Sequence, residues 1–155
     1  MKSRRDLLAE ARQKIPEMTA REVYDLVAGD GAPVLLDVRG TDEWELERIE
    51  EAIHIPRGRL EREIEAKLPE KSSQVVVYCA AGIRSLLAAE TLKEMGYQHV
   101  ISMDGGFESW SDAGLPALRP PIPEDEVEED PDLLQKEVEH LKLMLDGKAH
   151  RLEHL

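Results

Sequence analysis

The sequence predicts an α/β domain on a mostly parallel sheet flanked by helices, with a helical extension at its C-terminus. Three observations carry this reading. Short β-branched runs alternate with amphipathic segments of helical spacing, the order expected of βαβ units. Those runs lack a clear period of two, as strands covered on both faces do. Finally, an acidic proline-rich stretch sets off a terminal segment whose apolar residues recur at helical intervals.

Each element follows in chain order. Residues 3–14 read as a helix capped by Ser3, with Leu7, Leu8, Ala11 and Ile15 on one face. Thr19 to Glu22 fits a capping box, so a second helix starts at Thr19, buries Val23, Leu26 and Val27, and ends at Gly29 and Gly31. Val34–Val38 is a buried strand, a short helix follows over 42–48, and residues 52–55 form a strand stopped by Pro56. Leu60, Ile64 and Leu68 align on a helix closed by Pro69. Gln74–Tyr78 is the strongest strand; a loop of small residues over 79–84 leads into a helix at Ser85–Met95. His99–Ser102 is a further strand, Gly105-Gly106 a turn, and Phe107–Asp112 the start of a last short helix.

Residues 116–131 hold five prolines and six acids and read as an extended linker. Beyond it Leu134, Val138, Leu141 and Leu145 form an a/d seam of about two heptads. That seam fits either a helix packed back on its own domain or a homodimer through 132–146. The organisation expected is an N-terminal helical segment at 1–18, the α/β domain at 19–118, the linker at 119–131 and an amphipathic helix at 132–155.

Composition narrows the function classes. The net charge is −13, with −7 of it on residues 120–155, so nucleic acid and anionic membranes are not expected partners. The sequence has no run of eighteen apolar residues and no signal-like apolar region near its start. A single cysteine excludes an internal disulfide and a cysteine-rich zinc site, and suits a reducing compartment such as the cytoplasm. No cofactor and no metal are expected. His150 and His154, four apart, lack an evident third ligand.

The cysteine stands where a reactive one would. Cys79 ends the best strand, and ligands of open α/β sheets bind at the carboxyl ends of strands. Ala80, Ala81 and Gly82 are small enough to fold tightly and turn N–H groups inward, toward the N-terminus of the next helix. Ile83, Arg84 and Ser85 complete the loop, and Arg84 adds a full positive charge. A buried core cysteine would explain the strand end but not this loop. Amides, helix terminus and guanidinium all favour a thiolate.

Three stretches now resemble the rhodanese homology domain. They are Leu35-Leu-Asp-Val-Arg39 with Glu43-Trp44; Cys79-Ala-Ala-Gly-Ile-Arg-Ser85; and Met103-Asp-Gly-Gly-Phe-Glu-Ser-Trp110 with Gly114-Leu-Pro116. The resemblance implies a rhodanese-like fold and a sulfurtransferase of the thiosulfate sulfurtransferase type. Cys79 takes a sulfane sulfur from a small anionic donor, such as thiosulfate or a persulfide, and passes it to a thiol or protein acceptor. Loop residues 80–85 bind the donor, and Asp37 and Arg39 either support the loop or only brace neighbouring turns.

Departures from the family pattern keep other readings open. Positions 80, 81 and 83 carry no basic residue, which weakens thiosulfate binding. A non-turnover persulfide carrier, or a protein-docking module, is therefore the alternative. Phosphatase or arsenate reductase chemistry is a minor one, because the related phosphatases have five residues between Cys and Arg and this chain has four. Glu47-Arg-Ile-Glu-Glu-Ala52 replaces a glycine-rich turn of the family. Trp44, Trp110 and His54 are expected in the core rather than at the substrate.

Overall fold

The computed structural model describes residues 1–120. Most of the linker expected over 119–131 lies outside these residues. So does the whole helix expected over 132–155, with its dimer seam and with His150 and His154.

Reciprocal caps set the first two helices where the sequence placed them. Ser3 and Asp6 exchange backbone-to-side-chain bonds of 3.0 and 3.2 Å, opening α1 (Arg4–Lys14). Thr19 and Glu22 do the same for α2 (Ala20–Ala28), and the Gly29 N–H closes it on the Asp25 carbonyl. Between them runs β1 (Glu17–Met18), a two-residue edge strand that no sequence signal announced.

The other strands are β2 (Val34–Asp37), β3 (Ile53–His54), β4 (Gln74–Tyr78) and β5 (His99–Met103). They form one sheet in the order β1-β5-β4-β2-β3, and every pairing is parallel. Helices α3 (Thr41–Leu46), α4 (Leu60–Lys67), α5 (Arg84–Glu94) and α6 (Gly106–Asp112) complete the described fold, with a 3₁₀ turn at Arg57–Arg59. Among the described residues no helix is long and apolar enough to cross a membrane.

Alternate residues of the strands feed two cores, one on each face of the sheet. Leu36, Val38, Val75 and Val77 pack with α1, α4 and α5 through Ala11, Ile15, Leu60, Ile64, Leu86, Ala89 and Leu92. Leu35, Val76, Tyr78 and Met103 pack on the other face with α2 and α6, through Ala20, Val23 and Trp110. Burial on both faces is why the strands read as continuous apolar runs. It also makes α1 and β1 part of the same compact unit as the rest of residues 1–119.

Boundaries differ from expectation for local reasons. α3 ends at Leu46 because Arg48 pairs instead with Leu118, each N–H donating to the other's carbonyl at 3.0 and 2.7 Å. The strand expected over 52–55 keeps only Ile53 and His54 as ladder partners of β2. α5 begins one residue early, so Arg84 is its first residue rather than the end of the loop.

Candidate active site

β2 and β4 are neighbours, yet the chain leaves β2 toward β3 on one side and leaves β4 toward β5 on the other. The crevice beyond their carboxyl ends is the switch point of the sheet, the place where such folds bind ligands. The two segments entering it are Val38-Arg39 and the loop that starts at Cys79.

Cys79 continues the alternation of Val75 and Val77, so its side chain lies on the α5 face of the sheet. There the Gly82 N–H donates to Sγ at 3.1 Å and the Ser85 N–H at 3.3 Å. Two amides aimed at one sulfur, the second from the first turn of α5, favour negative charge on it. Cys79 is 1% exposed. Behind the sulfur, Ser85 Oγ lies 3.5 Å from Sγ and 2.9 Å from Ser102 Oγ, and both serines are fully buried.

The loop owes its shape to α6. Phe107 and Glu108 donate their N–H groups to the carbonyls of Cys79 and Ala80 at 2.7 and 3.0 Å. These are donors that the start of a helix would otherwise leave unpaired. In a trans peptide the C=O and the following N–H point in opposite directions. With both carbonyls held on α6, the N–H groups of Ala80 and Ala81 face the other way. Gly82 allows the turn with φ +90°, and a Cβ there would stand 2.8 Å from the Gly105 nitrogen.

Arg84 is exposed, and its Nη2 lies 3.5 Å from Glu43 Oε1 on α3. That carboxylate also accepts the Gly40 N–H at 3.2 Å, which fixes it at the start of α3. The positive charge expected to complete the cradle is therefore shared with an acid. Ala81 and Arg84 are exposed, Ala80 and Ile83 are half-buried, and Gly82 and Ser85 are buried.

Asp37 and Arg39 are both buried and grip each other. Arg39 Nε and Nη2 donate to the carboxylate at 2.8 to 3.1 Å, its backbone N–H adds a bond of 2.8 Å, and Nη2 also reaches the Glu47 carbonyl at 2.6 Å. Burial opposes the charge on Arg39, but hydrogen bonds to Asp37 and its negative charge outweigh this and raise the guanidinium pKa. The guanidinium rests 4.3 Å from the centre of the Phe107 ring. Phe107 in turn holds the Cys79 carbonyl, so the pair meets the loop through α6.

Three residues passed over in the sequence matter here. Ser102 stands behind Ser85 on β5, Glu43 holds Arg84, and Gly106 lets α6 approach the loop. Glu43 was visible only as part of a motif, and Ser102 only as a polar residue inside an apolar strand. Trp44 and His54 are corrected as well. Both are half-buried rather than core, stacked at 4.7 Å, with Arg48 over the Trp44 ring at 4.4 Å. Trp110 is buried as expected, its Nε1 donating to the Pro116 carbonyl at 2.8 Å.

A parallel α/β sheet with a thiol that accepts two backbone N–H bonds at its switch point defines the class of protein. The family model for the rhodanese-like domain matches residues 19–113, and the chain belongs to that family. It is 31% identical over 103 residues to the putative sulfur carrier protein YrkF of Bacillus subtilis, covering 66% of this chain and 55% of that protein. It is 40% identical over 77 residues to the thiosulfate sulfurtransferase GlpE of Coxiella burnetii, covering 50% of this chain and 70% of the relative. Among solved structures, a Rhodopseudomonas palustris protein of unknown function, RPA3614, described as a possible tyrosine phosphatase, superposes with a TM-score of 0.68 at 32% identity. The match covers 75% of this chain and 94% of that one.

Proposed function

We propose that this protein is a sulfurtransferase that carries a sulfane sulfur on Cys79. The carrying observation is the pair of N–H bonds from Gly82 and Ser85 to Sγ. Similarity to a thiosulfate sulfurtransferase and to a putative sulfur carrier protein supports a rhodanese-type transfer role.

The reaction divides into two displacements. The Cys79 thiolate attacks the outer sulfur of the donor; an Sγ–S bond forms and the donor's S–S bond breaks. With thiosulfate, the electron pair leaves on sulfite. With a persulfide, it leaves on the donor thiolate. An acceptor thiolate or cyanide then attacks the outer sulfur, and the pair returns to Sγ. The outward-facing amides of Ala80 and Ala81 are placed to meet the charge of the bound persulfide. No general base is required, because the nucleophile reacts as an anion. A reducing compartment such as the cytoplasm suits a thiol that must stay free.

Phosphate chemistry fits less well. The loop has four residues between Cys79 and Arg84, and Arg84 is engaged by Glu43. The carrier reading differs only in turnover, and the absence of basic residues at 80, 81 and 83 favours it.

The test is to incubate the protein with thiosulfate or glutathione persulfide and record the intact mass. A gain of one sulfur on Cys79 and release of thiocyanate with cyanide are expected, and Cys79→Ser should show neither. Failure of every small donor to load Cys79 would overturn the enzyme reading. Hydrolysis of an aryl phosphate by the same preparation would favour the phosphatase one.

A further inference from the structure

We infer that Glu43, acting through its ion pair with Arg84, sets donor specificity by turning the cradle against doubly charged oxyanion donors and toward persulfides. This bias rests on the sulfur-transfer reading above and names the donor class for it.

Arg84 is the sole cation in residues 79–84. Its guanidinium lies 3.5 Å from the Glu43 carboxylate, and the Gly40 N–H holds that carboxylate in place. The buried cation of the crevice, Arg39, is bound to Asp37. The loop therefore carries one guanidinium, already paired with one carboxylate, beside backbone amides.

Thiosulfate enters this field as a dianion and leaves a sulfite dianion behind. A persulfide R–S–SH or R–S–S⁻ enters with no charge or one, and leaves a thiolate. In the neutral case the Cys79 thiolate takes the outer SH group, its new S–S bond replacing the donor's, and the negative charge moves to the departing R–S⁻. The Glu43 carboxylate costs a dianion about twice what it costs a monoanion. The amides hold a persulfide sulfur without needing the guanidinium. Glu43 is thus a positioning residue: it touches Arg84, and its charge selects among donors.

The test is the second-order rate of Cys79 persulfide formation with thiosulfate and with the persulfide of 2-mercaptoethanol, whose body is uncharged, read by intact mass. It is measured for the unmodified chain, Glu43→Gln and Glu45→Gln at low and high salt. Glu43→Gln keeps an acceptor for the Gly40 N–H and removes only the charge. Glu45→Gln removes the same charge from an exposed position on the same helix. The unmodified chain should load the persulfide faster. Glu43→Gln should raise the thiosulfate rate by about tenfold and the persulfide rate by about threefold or less, and high salt should narrow the gap. Glu45→Gln should change the ratio little. An unchanged ratio in Glu43→Gln, or an equal change in Glu45→Gln, would overturn the assignment. Loading of the unmodified chain by neither donor would instead sink sulfur transfer itself.

Discussion

Gly106 has φ +57°, and a Cβ built on it would collide with the Cys79 carbonyl. Gly106→Ala should therefore cost ~2 kcal/mol or more and slow persulfide loading, measured by denaturant melts and by mass. The Asp37–Arg39 pair gives a second residue-scale expectation. Arg39→Met removes the partner of a fully buried carboxylate. It should destabilise the fold by about 3–5 kcal/mol, because the remaining charge is uncompensated. Asp37→Asn with Arg39→Met should recover part of that loss. Sequence alone could place both residues at a strand end, but it left open whether they serve the loop or brace the turn. In the fold they grip each other, and the Arg39 guanidinium lies over the Phe107 ring.

At the scale of elements, α1 packs its Ala11 and Ile15 against the α5 side of the sheet. Ile15→Ala should cost about 2–4 kcal/mol in a urea melt, the range for emptying a buried aliphatic site. Helices with reciprocal caps were legible because Ser3–Asp6 and Thr19–Glu22 state their own boundaries. β4 and β5 were legible because Val75–Tyr78 and Val100–Ile101 leave no other apolar choice. β1 was not, since two residues carry no period and Glu17–Met18 joins the sheet only through β5. The end of α3 was hidden for the same reason, as Leu118 captures Arg48 from seventy residues away. The cradle was legible in residue type: small residues, then Arg and Ser. Its walls were not, because Glu43, Ser102 and Gly106 reach it from three separate elements.

For the whole molecule, pH supplies the test. Burial first, and the Asp37 carboxylate next, push the Tyr78 hydroxyl above its ordinary value of 10.0. Burial raises Tyr97 in the same sense. The folded chain thus keeps protons that the unfolded chain releases. This stability is fully present below about pH 10 and is lost as pH rises from there toward the folded values. Urea midpoints taken from pH 8 to 11 should fall at the alkaline end. Tyr78→Phe should flatten that fall, while leaving the Ile49 N–H without its acceptor at neutral pH.

The two amide hydrogens that α6 lends to Cys79 and Ala80 can exchange with solvent only when the helix lets go of the loop. Their deuterium uptake is therefore a clock of how often the cradle opens, and Gly106→Ala should make that clock run faster.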